Sequence, residues 1–332
     1  MAAGVVADAP KGGHLGKIGS INREHDGRRL MMPDSLERKE EEHLRGLLAR
    51  VPALSQRELT IEPLSGGLTN RNYLVDADSE AYVLRVAGAD TAALGIDRDR
   101  EVACARAAAA AGVGPEVVAY LPEQGAIVTR FVVGRLIKAA HIRKPKTLRR
   151  VAEALRRCHD LPVPAEAADF SPFATVRRYQ ELAKKQNVRL PSELDSPLGL
   201  LARLEGKLQT DEPPCLCHND LLPANFIDDG QRLWIIDWEF AGRGDRFFDL
   251  GSFAVNCELD ETQERTLAEG YFGEARPADL RRLGLMRLVS DMREAMWGYL
   301  QSAVSRLHEP EYYLTYARNH LNRFVAARAA LM

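Results

Sequence analysis

Cysteine is scarce in this sequence, and long apolar runs are absent. Only five of the 332 residues are Cys, an odd number widely spread along the chain, so they do not make a disulfide framework. A reducing, cytoplasmic setting is therefore the simpler expectation. No stretch reaches the roughly 20 apolar residues that a transmembrane helix needs, and residues 1–20 lack the apolar core of a signal peptide. We expect no stable membrane insertion.

Charge of one sign is not in excess either. The formal net charge is −2, which gives no reason to expect nucleic acid or an anionic membrane as the main partner. Hydrophobic residues make up 45% of the chain, which is enough for a full core. A chain of 332 residues has room for two domains or for one large two-lobed unit. Nothing in the sequence indicates an oligomeric state.

Apolar periodicity predicts strands in the first part of the chain and helices in the rest. Residues 1–33 are rich in Gly, Ala and charge without periodicity, which predicts a disordered tail or, given Met31 and Met32, a start assigned too early. We predict an N-terminal lobe over residues 34–133 and a mainly helical C-terminal lobe over residues 134–332. This order of strands and then helices favours an α+β fold class. The strands predicted in the first lobe are 59–64, 72–75, 82–86, 115–120 and 126–133.

One short stretch of the sequence concentrates acidic and amide side chains. His218, Asp220 and Asn225 form the pattern H-x-D-x-x-x-x-N, and the strand-like run that follows ends in Asp237. Phosphoryl transfer with ATP uses such a set, in which one acid accepts the proton of the attacking hydroxyl while an amide oxygen and a second acid hold Mg²⁺. Asp220 and Asn225 lie five residues apart, as in the catalytic loop of protein kinases. The pattern predicts Asp220, Asn225 and Asp237 as catalytic residues.

Glycines and a predicted hinge in the first lobe suit a nucleotide. Gly66 and Gly67 lie in a turn between two strands, where backbone N–H groups can approach a phosphate closely. An ordinary hairpin turn is the alternative interpretation of this pair. The segment Thr129 to Val132 ends the fifth predicted strand and is the predicted hinge. We expect its backbone to hydrogen-bond adenine.

A cation on a predicted strand and an acid on a predicted helix form a second nucleotide signal. Arg85 lies amid apolar strand residues, and Glu101 lies in the first turn of a helix predicted between a cap at Asp97 and a stop at Gly112. A cation and a carboxylate placed in this way orient the ATP phosphates in kinases. The alternative for Glu101 is a first-turn carboxylate favoured by the helix dipole.

At these residues the chain resembles the choline/ethanolamine kinase family, within the aminoglycoside-phosphotransferase-like kinases. The resemblance covers about Leu59 to Arg328. Arg rather than Lys at position 85 is similar to the choline-kinase branch. The motifs that carry the resemblance are Ser65–Asn70, Val83–Gly88, Cys217–Asn225, Ile236–Glu239, Phe248–Gly251, and Trp297–Gln301 with Tyr316–Ala317.

The resemblance implies a bilobal protein-kinase-like fold with a five-stranded antiparallel sheet, and it implies ATP and Mg²⁺ as cofactors. Asp220 would be the base, and Asn225 and Asp237 would be the Mg²⁺ ligands. His218 would pack the loop, and Asp249 would brace it. The residues expected to bind the nucleotide are Ser65, Gly66, Gly67, Thr69, Asn70, Arg85, Glu101, Thr129 and Phe131.

The acceptor side is where the chain both follows and departs from this family. Trp297 and Tyr316 match positions where choline kinases build an aromatic cage for a quaternary ammonium, although two aromatics in ordinary helix packing are the alternative. The family commonly has a second Trp three residues earlier, which is Glu294 here, and a pocket Glu that is Asn256 here. The acids Glu258, Asp260, Asp291 and Glu294 could make an anionic pocket for a cationic substrate, and ordinary solvated helix surface is the alternative for each of them. The expected acceptor residues are Asp220, Asn256, Asp291, Glu294, Trp297 and Tyr316.

We therefore expect a kinase that phosphorylates the hydroxyl of a small cationic alcohol, with choline first and ethanolamine second. An aminoglycoside or thiamine kinase is an alternative enzyme, and a nucleotide-binding pseudokinase is a non-catalytic one. A zinc protein using Cys215, Cys217 and His218 is a further alternative, which the lack of a second ligand pair argues against. His159 is predicted to be a hydrogen-bonded core histidine.

Overall fold

The computed structural model describes residues 34–64, 70–88, 95–305 and 308–331. The described chain forms two compact units that are each discontinuous in sequence. The first comprises the described residues up to Lys138 together with Ala224–Glu239, and the second comprises Ala139–Pro223 and the chain from Phe240 onward. The predicted tail, residues 1–33, lies outside the described residues.

A five-stranded antiparallel sheet forms the framework of the first unit, as predicted. Its spatial order is β1-β2-β3-β5-β4, and the strands are β1 Leu59–Leu64, β2 Asn70–Ala77, β3 Glu80–Ala87, β4 Val117–Leu121 and β5 Ala126–Arg130. Side chains alternate across β3, because successive residues of a strand point to opposite faces. Leu84 and Val86 are buried in a core with Leu48 of the helix α1, Asp34–Leu48, whereas Arg85 lies on the opposite face.

The helix α2, Arg98–Ala110, begins and ends where the sequence predicts. The Asp97 side chain caps it by accepting a hydrogen bond from the Arg100 backbone N–H at 3.1 Å. Gly112 follows the helix with a φ of +67°, a left-handed conformation that glycine adopts without a steric penalty. This pair of signals fixes the position of Glu101 in the first turn of α2.

A small three-stranded sheet explains why a late segment of the chain belongs to the first unit. Its strands are β6 Arg135–Leu136, β8 Phe226–Asp228 and β9 Leu233–Ile235, in the spatial order β6-β8-β9. The Ile235 N–H also donates to the Val113 carbonyl at 2.7 Å. Chain order does not reveal this pairing, and the lobe bounds of 34–133 and 134–332 stay a prediction.

Helices dominate the second unit, with one short antiparallel pair of strands, β7 Cys215–Cys217 and β10 Gly242–Gly244. The helices are α3 Ala139–Ile142, α4 Pro145–His159, α5 Pro172–Lys185, α6 Asp195–Lys207, α7 Arg246–Asn256, α8 Glu261–Phe272, α9 Pro277–Val304 and α10 Pro310–Leu331. The predicted α+β class is thereby confirmed. No helix in the described part of the chain has the length and apolar character of a membrane span.

The long helix α9 packs against its neighbours closely enough to require glycine at two crossings. A Cβ atom on Gly251 of α7 would lie 2.8 Å from the Met286 backbone carbon of α9. A Cβ atom on Gly298 of α9 would lie 3.0 Å from the Tyr313 carbonyl oxygen of α10. Both contacts are with backbone atoms, which cannot rotate away as a flexible side chain does. The position of α9 in the second unit therefore depends on glycine, which has no side chain, at positions 251 and 298.

We expect Gly251→Ala to lower the free energy of unfolding by about 1–3 kcal/mol, because the added methyl group overpacks the α7–α9 crossing. Gly206→Ala in α6 is the matched control, since nothing lies within 4 Å of its Cβ position. That control should raise the free energy of unfolding by about 0.5–1 kcal/mol through helix propensity. Urea unfolding of both variants measures the difference, and equal stabilities would contradict the close crossing.

Candidate active site

Arg85 lies between two carboxylates on the side of the sheet that faces away from the α1 core. Its guanidinium forms ion pairs with Glu101 of α2 and with Asp237, which follows β9. The Glu101 side chain is 1% exposed and the Asp237 side chain is 17% exposed. A buried carboxylate is stabilised only when it is paired and hydrogen-bonded. The pairing of Arg85 with Glu101 that the sequence predicts is therefore present.

A second cation, Arg98, extends this cluster and was not predicted from the sequence. Arg98 donates to Glu101, to the Asn70 amide oxygen at 2.6 Å and to Glu239 at 3.3 Å. The Asn70 amide donates to Glu239 at 2.9 Å. Burial and the nearby Asp237 carboxylate raise the pKa of Glu239 above its ordinary value, against the opposing effect of the arginines. The sequence signal for Glu239 was its place two residues after Asp237.

Asn225 and Asp237 are neighbours in the first unit. The Ile236 N–H donates to the Asn225 carbonyl at 3.0 Å, so the residue before Asp237 is tied to Asn225. The Asn225 side chain is fully buried. Asp237 has a φ of +70°, a left-handed conformation that is uncommon for a residue with a side chain. An amide and a carboxylate next to each other provide the oxygen ligands that Mg²⁺ prefers.

An open cleft in the first unit brings most of the predicted nucleotide residues together. It is lined by Asn70, Arg85, Glu101, Thr129, Phe131 and Asp237, among others. The Phe131 N–H is already donated to the Ala81 carbonyl at 2.9 Å, so its amide belongs to the sheet. The predicted residues Ser65, Gly66, Gly67 and Thr69 lie outside the described residues.

In the second unit, one buried carboxylate holds the backbone that leads to Asp220. Asp249, in α7, accepts hydrogen bonds from the His218 N–H and the Asn219 N–H, each at 2.7 Å. Asn219 has a φ of +65°, and its side-chain amide donates to the Phe240 carbonyl at 3.0 Å. Side-chain hydrogen bonds of this kind help Asn to adopt the left-handed conformation. The turn before Asp220 is thus held by three hydrogen bonds within one unit.

His159 is a hydrogen-bonded core histidine, as predicted. Its Nε2 lies 3.1 Å from an Asp249 carboxylate oxygen, and its Nδ1 lies 2.6 Å from the Tyr271 hydroxyl. Burial opposes protonation of this ring, but the bond to Asp249 shifts the pKa of His159 above its ordinary value. His159, rather than the His218 named in the zinc alternative, is the histidine that lies with Cys215 and Cys217, the three ligand atoms within 4.8 Å of one another. All five cysteines of the chain are buried, and none of them forms a disulfide.

The predicted acceptor residues around Asp220 are linked by an arginine that the sequence did not predict. Arg293 Nη1 lies 3.3 Å from the Asp220 carboxylate and 2.7 Å from the Glu294 carboxylate. The other Glu294 oxygen accepts a hydrogen bond from the Tyr316 hydroxyl at 2.7 Å. Burial alone would raise the pKa of Glu294, but Arg293 and then His320 hold it below its ordinary value. Glu294 is therefore a buried, paired carboxylate.

Trp297 lies in an aromatic cluster beside this network. Its ring makes edge contacts with the Tyr316 ring, at a centroid distance of 5.6 Å, and with the Tyr313 ring, at 5.8 Å. Edge-to-face contacts at such distances are favourable for aromatic pairs. The structure thus brings Asp220, Glu294, Trp297 and Tyr316 together in the second unit through Arg293.

The remaining predicted acceptor residues have other contacts. The Asn256 amide lies 3.5 Å from the Leu221 carbonyl, next to Asp220 in the chain. Asp291 is buried and accepts hydrogen bonds from His320 at 2.9 Å and from Arg323 at 3.1 Å. Among the surface acids, Asp260 caps α8 by accepting from the Gln263 N–H. These two bonds hold α10 to α9, and neither of them involves Arg293.

Comparison with known proteins shows which proteins this chain is similar to. Residues 60–284 match the model of the phosphotransferase enzyme family. Protein LicA of Haemophilus influenzae is 27% identical over 209 residues, which cover 62% of this chain and 61% of that protein, less than two thirds of its length. Ethanolamine kinase 2 of Mus musculus is 26% identical over 307 residues, which cover 82% of this chain and 77% of that protein.

A solved structure extends the similarity over nearly the whole of a relative. The choline/ethanolamine kinase family protein from Mesorhizobium loti is 31% identical and superposes with a TM-score of 0.73. The superposition covers 86% of this chain and 94% of that one. The matched ranges include the Arg85 cluster and the loop that leads to Asp220. The chain therefore belongs to the phosphotransferase enzyme family, within its choline/ethanolamine kinase family.

Proposed function

We propose that this protein transfers the γ-phosphate of ATP to the hydroxyl of a small cationic alcohol. The observation that carries the proposal is the Arg85 guanidinium, paired with Glu101 and Asp237 at the wall of an open cleft. A cation held between a helix carboxylate and an acid of the metal site is the arrangement that orients ATP phosphates in kinases. Membership of the family supports the same reaction class.

The nucleotide side of the proposal uses the first unit. Arg85 would bind the phosphates through two N–H groups at once, because a guanidinium matches phosphate oxygens in a fork. Glu101 would hold Arg85 in that orientation. Thr129 and Phe131 line the cleft at the end of β5, where we place the adenine ring. In this proposal, Arg98 and Glu239 help to hold the two carboxylates that pair with Arg85 in a fixed arrangement.

Asn225 and Asp237 would hold Mg²⁺, and the residues present fit that ion. Both offer oxygen, and the bond from the Ile236 N–H to the Asn225 carbonyl keeps them side by side. When bound, Mg²⁺ neutralises charge on the phosphates. The left-handed backbone at Asp237 directs that carboxylate, and strain of this kind is typical of functional positions.

Asp220 would act as the base on the acceptor hydroxyl. The hydroxyl oxygen forms a bond to the γ-phosphorus, the bond from that phosphorus to the bridging oxygen breaks, and ADP leaves with the electron pair. The hydroxyl proton goes to the Asp220 carboxylate. Asp249 contributes by fixing the backbone of the two residues before Asp220, since a base must be held within hydrogen-bond reach of its proton.

The acceptor we propose first is choline. Trp297 and Tyr316 offer aromatic faces to a quaternary ammonium, which has no N–H to donate. The formal charges of Asp220, Glu294 and Arg293 add to −1, because the one cation offsets one of the two acids. A single net negative charge suits a monocation and gives no reason to expect a polycation such as an aminoglycoside.

Ethanolamine is the second candidate, and the Glu294–Tyr316 hydrogen bond favours it. Glu294 stands where the family commonly has an aromatic wall, and its bond to Tyr316 at 2.7 Å puts a carboxylate and a phenol oxygen together. A primary ammonium can donate N–H groups to both oxygens, whereas a trimethylammonium cannot. Turnover of ethanolamine and its mono-, di- and trimethylated forms would rank the two candidates directly.

The proposed reaction is tested first by ADP release with Mg²⁺–ATP against choline, ethanolamine, thiamine and an aminoglycoside. Asp220→Ala should reduce turnover of the best acceptor by about 10²–10⁴-fold, because it removes the general base. Asp211→Asn, at an exposed acid of the same unit, is the control and should keep full turnover. Normal turnover by Asp220→Ala with an unchanged circular dichroism spectrum would contradict the mechanism.

Asp237→Asn should lower the affinity for ATP at saturating Mg²⁺ by about tenfold or more, because it removes a charged metal ligand. Asn keeps the left-handed backbone more readily than Ala does, so the fold is preserved. Titration calorimetry with and without Mg²⁺ measures the change, and the Mg²⁺ dependence should disappear. Asp99→Asn, an exposed acid of the same unit, is the control. An unaltered Mg²⁺ dependence in Asp237→Asn would exclude it as a ligand.

Trp297→Ala should raise the choline KM by about tenfold or more, from the loss of a cation–π contact of ~2 kcal/mol. Tyr312→Ala is the control, since Tyr312 is 38% exposed on the neighbouring helix. Steady-state kinetics at saturating ATP measure both variants. A KM unchanged in Trp297→Ala would assign that ring to helix packing alone.

A further inference from the structure

The helix α9 contains a charged segment in its buried part. The residues from Ser290 to Glu294 are all buried, and Arg293 is 2% exposed. Arginine is almost never fully buried unless it is paired. An apolar side chain of similar volume in such a place is often as stabilising as a buried ion pair, or more so. The presence of Arg293 therefore calls for a reason other than packing.

Arg293 uses one nitrogen to reach two acids. Its Nη1 lies 2.7 Å from Glu294 and 3.3 Å from Asp220. The guanidinium carbon also lies 5.1 Å from the centre of the Phe240 ring, over its face. Glu294 supplies the closer contact, and Asp220 lies at the end of hydrogen-bond range. Glu294 thus anchors the guanidinium, while the second contact reaches the proposed base.

The backbone and the side chain of Asp220 are held from different elements. The two residues before it are tied to Asp249 of α7 through their N–H groups. The carboxylate itself meets Arg293 of α9, and the Asp220 side chain is 16% exposed. Asp249 therefore fixes where the chain turns, and Arg293 is a charged side chain in contact with the Asp220 carboxylate.

Several titratable groups surround Arg293 and its partner Glu294. Besides Asp220, Tyr179 of α5 and Tyr316 of α10 interact electrostatically with Arg293, and His320 of α10 interacts with Glu294. Burial opposes the charge on Arg293, but Glu294 and then Asp220 raise the pKa of Arg293 above its ordinary value. Burial raises the pKa of Tyr179 to about 12, so this ring is neutral near pH 7. Arg293 is a positive charge that Asp220 and Glu294 share.

We propose that Arg293 is a positioning residue for the general base. It holds the Asp220 carboxylate charged and oriented toward the acceptor hydroxyl, and Glu294 anchors Arg293 for that purpose. This inference rests on the proposed function, in which Asp220 takes the hydroxyl proton. It also explains why an acid, Glu294, stands where the family commonly has a Trp: the anchor of a buried guanidinium must carry a negative charge.

Arg293→Met should lower kcat by about 100-fold, as expected when a reacting group loses its orientation. The KM of the acceptor should change less than kcat, because Arg293 acts through the base. The acid limb of the kcat/KM profile should move to higher pH by about 1 unit, since an opposite charge no longer favours ionised Asp220. Arg293→Lys keeps the charge and should restore the acid limb but only part of kcat, because Lys lacks the planar guanidinium that stacks on the Phe240 ring.

The double variant Arg293→Met with Glu294→Gln separates positioning from neutralisation. It removes both charges, so no buried acid is left without its partner at position 294. If Arg293 serves Asp220, the double variant folds stably and kcat stays about 100-fold low. Glu294→Gln alone is the reference, because it carries the same loss of the acid. If Arg293 serves only to neutralise Glu294, the double variant has the same kcat and the same pH profile as Glu294→Gln alone, and the proposal is overturned.

Thermal unfolding tests the Arg293–Asp220 contact without any catalytic activity. In the Glu294→Gln background, Arg293→Met takes the Arg293 cation away from the Asp220 carboxylate, whose side chain is 16% exposed, so we expect the folded-state pKa of Asp220 to rise. A protein that contains a carboxyl with a raised folded-state pKa loses stability as the pH rises from the unfolded toward the folded pKa of that group. We therefore expect the drop in Tm caused by Arg293→Met to be larger at pH 8 than at pH 5. Adding Asp220→Asn should remove that pH dependence.

The two sets of measurements distinguish the failure of the inference from the failure of the proposed function. If the wild type phosphorylates none of the acceptors, the function fails, while the pH dependence of Tm still decides whether Arg293 pairs with Asp220. If the wild type is active and Arg293→Met keeps its pH profile, the function stands and the positioning role is refuted. A Tm loss that is equal at both pH values and unaffected by Asp220→Asn refutes it as well.

Discussion

The contact on which the second unit most depends is the Asp249 carboxylate, buried in α7. Both of its oxygens accept backbone N–H groups of the segment that leads to Asp220, and one also contacts His159. Such a carboxylate restrains two consecutive residues of a loop, one of which, Asn219, has a left-handed backbone. A loop without these bonds would leave polar groups unsatisfied in the interior, at a cost of about 1–3 kcal/mol each. The close crossing of α7 and α9 in turn fixes Asp249.

In both units, buried charged side chains cluster with oppositely charged partners. In the first unit Arg85 and Arg98 share Glu101, Asp237 and Glu239, and in the second unit Arg293 shares two acids. Desolvation makes each of these charges costly, and only its partners offset that cost. Networks of this kind add little net stability, but they restrict each side chain to one position. Under the proposed mechanism that restriction is what the phosphates and the base require.

Local signals predicted the fold well where one residue controls the backbone. The cap at Asp97 and the glycine at 112 placed α2, and alternation of apolar residues placed the five strands of the first unit. Sequence signals were weaker where two paired strands lie far apart in the chain. The strand pairing of β6 with β8 joins Ala224–Glu239 to the first unit, and a strand edge carries no mark of its partner. Register and pairing depend on which surfaces meet during packing.

The sequence by itself determined the chemistry that is present: the spacing of Asp220 and Asn225, the acid at 237, and the cation and acid at positions 85 and 101. The spacing of these residues in the sequence is informative because the regular geometry of loops and strands determines how far apart their side chains lie. Only the tertiary structure decided which charges meet. Arg98 and Glu239, 141 residues apart, lie in the cluster of Arg85, and Arg293 meets Asp220 across 73 residues. The sequence allowed Glu294 to be a surface acid or a substrate ligand, whereas in the structure it is a buried partner of Arg293. Its burial and its pairing result from the packing of several helices, which no single segment of the sequence encodes.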